Sequence, residues 1–312
     1  MKKIAITLGD PNSISPEITI KSLNFLDVPK ENVILISNKE VLKYYADNYD
    51  LSLEKDYLTE EIPYDIKNIE IGKETEYSGE FAFRAIVKAC ELAQNKCIDG
   101  IVTAPVSKNA LKLAGHNYSG QTEILEQYLA NKNQHAEMVF VCENFSVFLL
   151  TRHIALRDVP QYINKENIIE KVKYIDACFK KQLNINKPKY AICALNPHSG
   201  EKGMFGFEEE QEIIPAIENL SRIGFDIQGP FPSDTLFNNA YQGLYDYNCY
   251  IAMYHDQGLI PIKLMERSVC VNTTLGLDII RTSPSHGTAF DIAGKNIANP
   301  DSMIEAIKLL LK

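Results

Sequence analysis

Short apolar runs rich in Ile, Val and Tyr punctuate the chain, each closed by a polar turn. They predict strands at IAITLG near the start, NVILIS (32–37), GIVTAPV (100–106), MVFVC (138–142), FSVFLLT (145–151), YAICAL (190–195) and YNCYIAMY (247–254). Between them apolar positions fall at helical spacing, most clearly in GEFAFRAIVKACELAQNK (79–96) and EEEQEIIPAIENLSRIG (208–224). Strands separated by helices predict an α/β protein whose mostly parallel sheet is covered by helices on both faces. The polar stretch 52–78 reads as a surface excursion, and no internal repeat or low-complexity tract interrupts the pattern.

The same runs place three of the six histidines at strand ends: His153 in FSVFLLTRHIALRDVP, His198 in YAICALNPHSGE and His255 in YIAMYHDQG. Open α/β proteins build their sites at such ends. Neutral imidazole is the commonest metal-binding side chain, and three protein ligands with one position left open suit a catalytic ion. Three unrelated loop histidines would give the same pattern, so the residues alone leave both readings open.

A chain of 312 residues with 45% apolar content can bury enough core for two domains. The formal charge of −9 argues against a general nucleic-acid or anionic-membrane surface, while leaving room for a basic pocket around a small phosphorylated substrate. No apolar stretch approaches the roughly 20 residues of a membrane span. The start, MKKIAITLGDPN, becomes a short strand, with too little apolar length and no cleavage site for a signal peptide, so a cytoplasmic protein is expected. Seven cysteines (90, 97, 142, 178, 193, 249, 270), odd in number and without a CxxC, sit in apolar segments and read as small buried hydrophobes.

No GxGxxG closes a strand and opens a helix. The cofactor candidate lies instead near the C-terminus, in His286-Gly287-Thr288-Ala289-Phe290-Asp291-Ile292-Ala293-Gly294 and the following KNIANP, which ends in Asn299-Pro300. Glycines and small residues allow a ligand close to the backbone. An acid there, Asp291, can accept from a ribose diol and repel a 2′-phosphate, which favours NAD over NADP. A glycine turn leading into the last helix accounts for the same residues without a cofactor.

HGTAFDIAGKNIANP resembles the adenosine-binding loop of the β-decarboxylating dehydrogenases, the isocitrate and isopropylmalate enzymes. Most of the remaining chain resembles one branch of that fold, the 4-hydroxythreonine-4-phosphate dehydrogenase family of vitamin B6 synthesis. The resemblance rests on ITLGDPNSISPEI, IVTAPVSKNALKLAG, YSGQTEIL, RHIALRDVP, LNPHSGEKGMFGFEE, GPFPSDTLF, YHDQGLIPIK and VNTTLGLDIIRTSPSHGTAFDIAG, all in one order. It implies two α/β domains with mostly parallel sheets, isocitrate/isopropylmalate dehydrogenase-like, with the active site in the interdomain cleft. The expected division is 1–130 plus 270–312 for the domain with the adenosine loop, and 131–269 for the domain with the histidines and the dimer interface. It also implies a homodimer whose active sites lie at that interface.

Residue by residue, the resemblance implies metal ligands at His153, His198 and His255. It implies substrate contacts at Gln121, Thr122, Lys263, Asn272 and Arg281, and an adenosine pocket lined by His286, Gly287, Thr288, Ala289, Asp291 and Asn299. Lys and Arg suit a phosphorylated substrate, since both stay charged and Arg grips two oxygens. The apolar flanks of Lys263 (LIP) and Arg281 (LDII) predict that both are drawn inward. Asp256, beside His255, and Asp234, in PSDTLF, are the candidate catalytic acids or partners of the metal site; a turn or cap role would also suit them. Three histidines favour zinc, cobalt or nickel, and magnesium or manganese only where aspartates complete the shell.

Two departures from the family pattern stand out. Gln121 replaces the family's histidine in Ser119-Gly120-Gln121-Thr122, which keeps hydrogen bonding and removes a group that titrates near neutrality. The opening loop carries Asn12, Ser13 and Ser15 where the family is richer in glycine. The implied reaction is NAD- and metal-dependent oxidation of 4-phosphohydroxy-L-threonine to a β-keto acid, which decarboxylates to 3-amino-2-oxopropyl phosphate. The alternatives are a sister dehydrogenase of 4-phosphothreonate or 4-phosphoerythronate, a three-histidine metallohydrolase, for which an adenosine loop has no use, and an inactive metabolite-binding relative.

Overall fold

The computed structural model describes residues 2–142, 145–264 and 270–311. Among them eleven strands run in chain order: β1 (Ile4–Thr7), β2 (Val33–Ser37), β3 (Leu58–Glu61), β4 (Gly100–Thr103), β5 (Glu137–Val141), β6 (Ser146–Leu149), β7 (Lys189–Cys193), β8 (Asp226–Phe231), β9 (Cys249–Ala252), β10 (Val271–Leu275) and β11 (Ile280–Pro284). The chain divides into two compact units, residues 1–136 with 270–312, and residues 137–269. No helix among the described residues is long and apolar enough to cross a membrane.

In the first unit the strand order is β3-β2-β1-β4-β11-β10. All neighbours are parallel except the β10–β11 hairpin. Side chains alternate across each strand, and both faces are buried. Ala5, Ile34, Ile36 and Ile101 pack on one side against Phe81, Ala85, Ile86 and Ala89 of the helix Glu76–Gln94. Ile4, Ile6, Val33, Leu35 and Val102 pack on the other against Ile18 and Leu23, and against Met303 and Ile307 near the C-terminus. Two-sided burial is why these strands read as unbroken apolar runs.

The second unit orders its strands β5-β6-β9-β7-β8, with β5–β6 antiparallel and the rest parallel. Its helices include Lys165–Gln182, Ser233–Tyr241 and His255–Leu264.

Strands β3, β8, β10 and β11 lie outside the predicted runs, and two predicted helices have other bounds. The stretch 52–78 contains the edge strand β3, whose polar LTEE gives no apolar period because it pairs on one side only and is half-exposed. The helix predicted from 79 begins at Glu76, where Thr75 and Ser78 form a reciprocal cap. The helix predicted over 208–224 is split into a π-turn, Glu209–Ile213, and an α-helix, Ile214–Arg222. Pro215 lacks the N–H an unbroken α-helix would need there. Six of the seven cysteines are buried and Cys97 is exposed.

Candidate functional site

Within the second unit β6, β9 and β7 are adjacent and parallel, and the chain leaving each carboxyl end reaches a histidine. His153 follows β6 in a bend, His198 follows β7 in a turn, and His255 opens a helix after β9. Side chains stitch these exits together. Thr151 Oγ1 donates to Met253 O at 2.6 Å. Gln257 accepts from Met253 N through Oε1 at 2.6 Å and donates through Nε2 to Ala194 O at 2.7 Å. Neither Thr151 nor Gln257 stood out in the sequence, because a side chain that bonds backbone leaves no periodic signal; nearness to the histidines was the available clue.

The His153 and His255 ring centres lie 5.7 Å apart. Two imidazoles sharing one ion at nitrogen–metal distances of about 2.0–2.1 Å have ring centres roughly 5–6 Å apart, so the pair fits a common metal. Asp256 Oδ1 lies 2.7 Å from His255 Nδ1. An ionised carboxylate only accepts, so Nδ1 carries the proton and the Nε2 lone pair is left for a ligand. Among the described residues no group of three or more His, Cys, Asp or Glu side chains is gathered closely enough to hold an ion. His198, Asp234 and Asp256 share a cavity of about 840 Å³ whose other walls include Phe237, Tyr241 and Ile260.

His198 begins an unusual segment. Six consecutive residues have left-handed backbone: His198 (φ 50°), Ser199 (54°), Gly200 (77°), Glu201 (42°), Lys202 (55°) and Gly203 (86°). For each non-glycine residue this costs about 1–2 kcal/mol, so the surroundings must impose it.

Lys263 differs from its predicted burial. It is exposed on the helix His255–Leu264, whose buried positions are Gly258, Leu259 and Ile262. The apolar flank LIP does not lie on one inward face, since Leu259 is buried while Ile260 is 55% exposed, and Lys263 falls on the open side with Ile260.

The first unit holds a different set of groups. Arg281, on β11, is only 3% exposed. Its Nε donates to Thr103 Oγ1 at 2.8 Å and its guanidinium also reaches Thr274 Oγ1 at 3.4 Å. It forms no ion pair among the described residues; burial pushes its pKa down to about 9, with the Glu123 carboxylate opposing. The β10–β11 register sets Thr274 opposite Arg281 and Asn272 opposite Ser283, so Asn272, Thr274 and Arg281 share one sheet face. Asn272 Oδ1 is buried without a hydrogen-bond partner.

Gln121 opens the helix Gln121–Leu129, and the adjoining Thr122 is buried. Gln121 Nε2 donates to Ala104 O at 3.1 Å, next to Thr103 in sequence. A carbonyl accepts only from the NH₂ side, which fixes the amide's orientation and leaves Oε1 buried and unpartnered.

The loop after β1 borders the same strand ends. Gly9 (φ 73°) must lack a side chain, since a Cβ would lie 2.5 Å from Pro105 O. Asp10 is fully buried; Asn12 N donates to its Oδ1 at 2.9 Å and Ser78 Oγ lies 3.1 Å from its Oδ2. Burial raises its pKa to about 7, with these bonds pulling the other way. Sequence reading passed over Asp10, because an Asp before Pro ordinarily signals only a turn.

The C-terminal loop is tied to the helix Ser15–Leu26. Ile14 N donates to Thr288 O at 3.2 Å, Ala298 N donates to Glu17 Oε1 at 2.7 Å, and Lys21 Nζ donates to Asn296 O at 3.1 Å. His286 and Gly287 are exposed, and open space surrounds the position a Gly287 side chain would take. Asp291 is exposed and makes no side-chain hydrogen bond or ion pair among the described residues. Asn299 Oδ1 instead accepts from Asp301 N at 2.8 Å, capping the helix Asp301–Leu311.

Residues 3–310 match the family described as pyridoxal phosphate biosynthetic protein PdxA. A 4-hydroxythreonine-4-phosphate dehydrogenase of Sulfurihydrogenibium sp. is 40% identical, covering 100% of this chain and 98% of the relative. A Fusobacterium nucleatum protein named provisionally as a D-threonate 4-phosphate dehydrogenase is also 40% identical, covering 99% of this chain and 96% of its own. The crystal structure of the 4-hydroxythreonine-4-phosphate dehydrogenase from Klebsiella pneumoniae superposes with a TM-score of 0.86 at 34% identity, covering 100% and 99% of the two chains. The chain is thus an α/β oxidoreductase. It belongs to the pyridoxal phosphate biosynthetic protein PdxA family.

Proposed function

We propose that this enzyme oxidises 4-phosphohydroxy-L-threonine, with NAD as acceptor, to a β-keto acid that loses carbon dioxide to give 3-amino-2-oxopropyl phosphate. The observation that carries the reading is Arg281, a buried cation without an ion-pair partner among the described residues. A buried unpaired charge is costly, and an anionic substrate supplies the missing partner. Asn272 Oδ1 and Gln121 Oε1, both buried and unpartnered, add acceptors for the ammonium and hydroxyl groups of such a substrate. Lys263 offers an exposed ammonium for phosphate.

His153, His198 and His255 would hold a divalent ion, zinc or cobalt before magnesium, with Asp256 fixing the His255 tautomer and Asp234 beside the same cavity. Such an ion, when bound, supplies Lewis acidity to the alcohol and then to the ketone. The loop of His286, Gly287, Thr288, Ala289 and Asp291 would take the adenosine of NAD, the hydride acceptor. The exposed apolar side chains of Tyr241, Ile260 and Leu264, which line one cavity, support a homodimer. A cytoplasmic setting completes the reading.

A second reading is oxidation of D-threonate 4-phosphate, in keeping with the Fusobacterium relative's name. It draws on Gln121. A fixed acceptor oxygen accepts from a 2-hydroxyl as well as from a 2-ammonium, though a charged donor bonds about twice as strongly. The test is NADH formation from both compounds side by side, with and without added divalent ion, for the natural chain and for Gln121→Leu. Preference for the amine, lost about tenfold or more in the leucine variant, supports the first reading. Preference for threonate phosphate gives the second, and no turnover of either compound defeats both.

A further inference from the structure

The left-handed run from His198 to Gly203 needs something to hold it, and one buried side chain sits against it. Glu209, at the start of the π-turn, is 1% exposed. Its Oε1 accepts from Leu195 N and from Asn196 N, each at 2.8 Å. Its Oε2 accepts from Asn196 Nδ2 at 3.0 Å. The other side of the clamp is Gly200, where a Cβ would lie 2.6 Å from Glu209 Oε2. Among the described residues Glu209 has no ion-pair partner, and the groups donating to it belong to the segment leading into His198.

We propose that Glu209 is a positioning residue for His198: its buried carboxylate pins the Leu195–Asn196 backbone and abuts Gly200, and so holds the left-handed turn that presents the imidazole. The proposal rests on the reading of His198 as a metal ligand. A carboxylate suits this task because it can accept three bonds at once with nothing to donate. A glutamine of the same shape would turn an NH₂ group toward one of these donors. The π-turn has a role here too, since an extra residue in the helical turn alters where the Glu209 side chain emerges.

The test is Co²⁺ titration of the full chain and of Glu209→Gln, His198→Ala and the double variant, with hydrogen exchange at the Leu195 and Asn196 amides. Glu209→Gln should weaken Co²⁺ binding about 10- to 100-fold and speed exchange at both amides. In the His198→Ala background it should cost nothing further, because the ligand it positions is gone. Unchanged affinity overturns the proposal. So does an equal loss in both backgrounds, which would mark Glu209 as only structural. Should Glu209→Gln fail to fold, Gly200→Ala displaces the same carboxylate from the other side and must give the same pattern. If the natural chain binds no Co²⁺, the metal reading falls, and the exchange rates still decide whether Glu209 holds the turn.

Discussion

The two units present their polar groups in opposite ways. In the first, Arg281 and Asn272 project from strands; the Arg281 side chain and the acceptor oxygens of Asn272 and Gln121 are withdrawn from water, and those two oxygens are unpartnered. In the second, the three imidazoles sit on the loops and helix start that follow three strands, with backbone-directed bonds from Thr151, Gln257 and Glu209 behind them. A strand-borne buried group is rigid at the expense of stability until a ligand arrives. A loop-borne imidazole costs little to expose and depends on its supports for aim. Changes at the buried groups of the first unit should therefore trade stability against activity, and changes at the exposed groups beside the histidines of the second should alter activity or metal affinity while leaving stability alone.

Arg281→Met is the largest break of that contrast. It removes a buried, unpaired cation and keeps a long apolar stem. We expect kcat/KM to fall by about 10²–10³, as for loss of one partner of a buried charge pair. The unfolding midpoint in urea, measured without substrate, should be equal to or higher than that of the natural chain. A marked drop in midpoint would mean that the hydrogen bonds to Thr103 and Thr274 make Arg281 a structural residue, and the contrast would fail at its strongest point.

Asp256→Asn is the matching change in the second unit. Asparagine keeps an acceptor for His255 Nδ1–H and loses the charge that strengthens the imidazole as a ligand. Divalent-ion affinity should fall about 10- to 100-fold. The urea midpoint should not move, because the Asp256 side chain is 70% exposed and its bond to His255 lies at the surface. Equal affinity in calorimetry would separate Asp256 from the metal site and leave it a local surface contact.

These assignments differ in how far they can be seen in sequence. Strands buried on both faces announce themselves as apolar runs, which is why β1, β2, β4, β7 and β9 were legible. The edge strand β3 and the hairpin of β10 and β11 carry LTEE, VNTTL and IRTSP, where polar residues occupy strand positions because β3 is open on one side and because the hairpin carries the candidate-site residues Asn272 and Arg281. The placement of the histidines after β6, β7 and β9 was visible because apolar runs stop just before them. The supports were not. Glu209 and Gln257 act on backbone amides and carbonyls, which have no sequence signature, and Arg281 and Lys263 had similar apolar flanks with opposite burial.

Asp10 tests whether the first unit's strain extends beyond Arg281. Ser78 Oγ contacts Asp10 Oδ2 and Thr75 O, each at 3.1 Å, yet a hydroxyl has one proton to give. A protonated Asp10 resolves this by donating to Ser78, which then donates to Thr75. Burial, raising the carboxyl to about 7 against an ordinary 3.8, agrees. Between those values the folded chain keeps a proton that the unfolded chain has lost, so stability falls as pH rises from about 4 to 7 and is level above that. The full span is of order 4 kcal/mol. Asp10→Asn reproduces the protonated pattern, with its amide donating to Ser78, and cannot titrate. Urea midpoints across pH 4 to 8 should show this component of the slope in the natural chain and lose it in the variant, with the variant gaining relative to the natural chain at pH 8. Parallel slopes would mean that Asp10 is ionised when buried, and that the first unit keeps a second uncompensated charge at the end of β1.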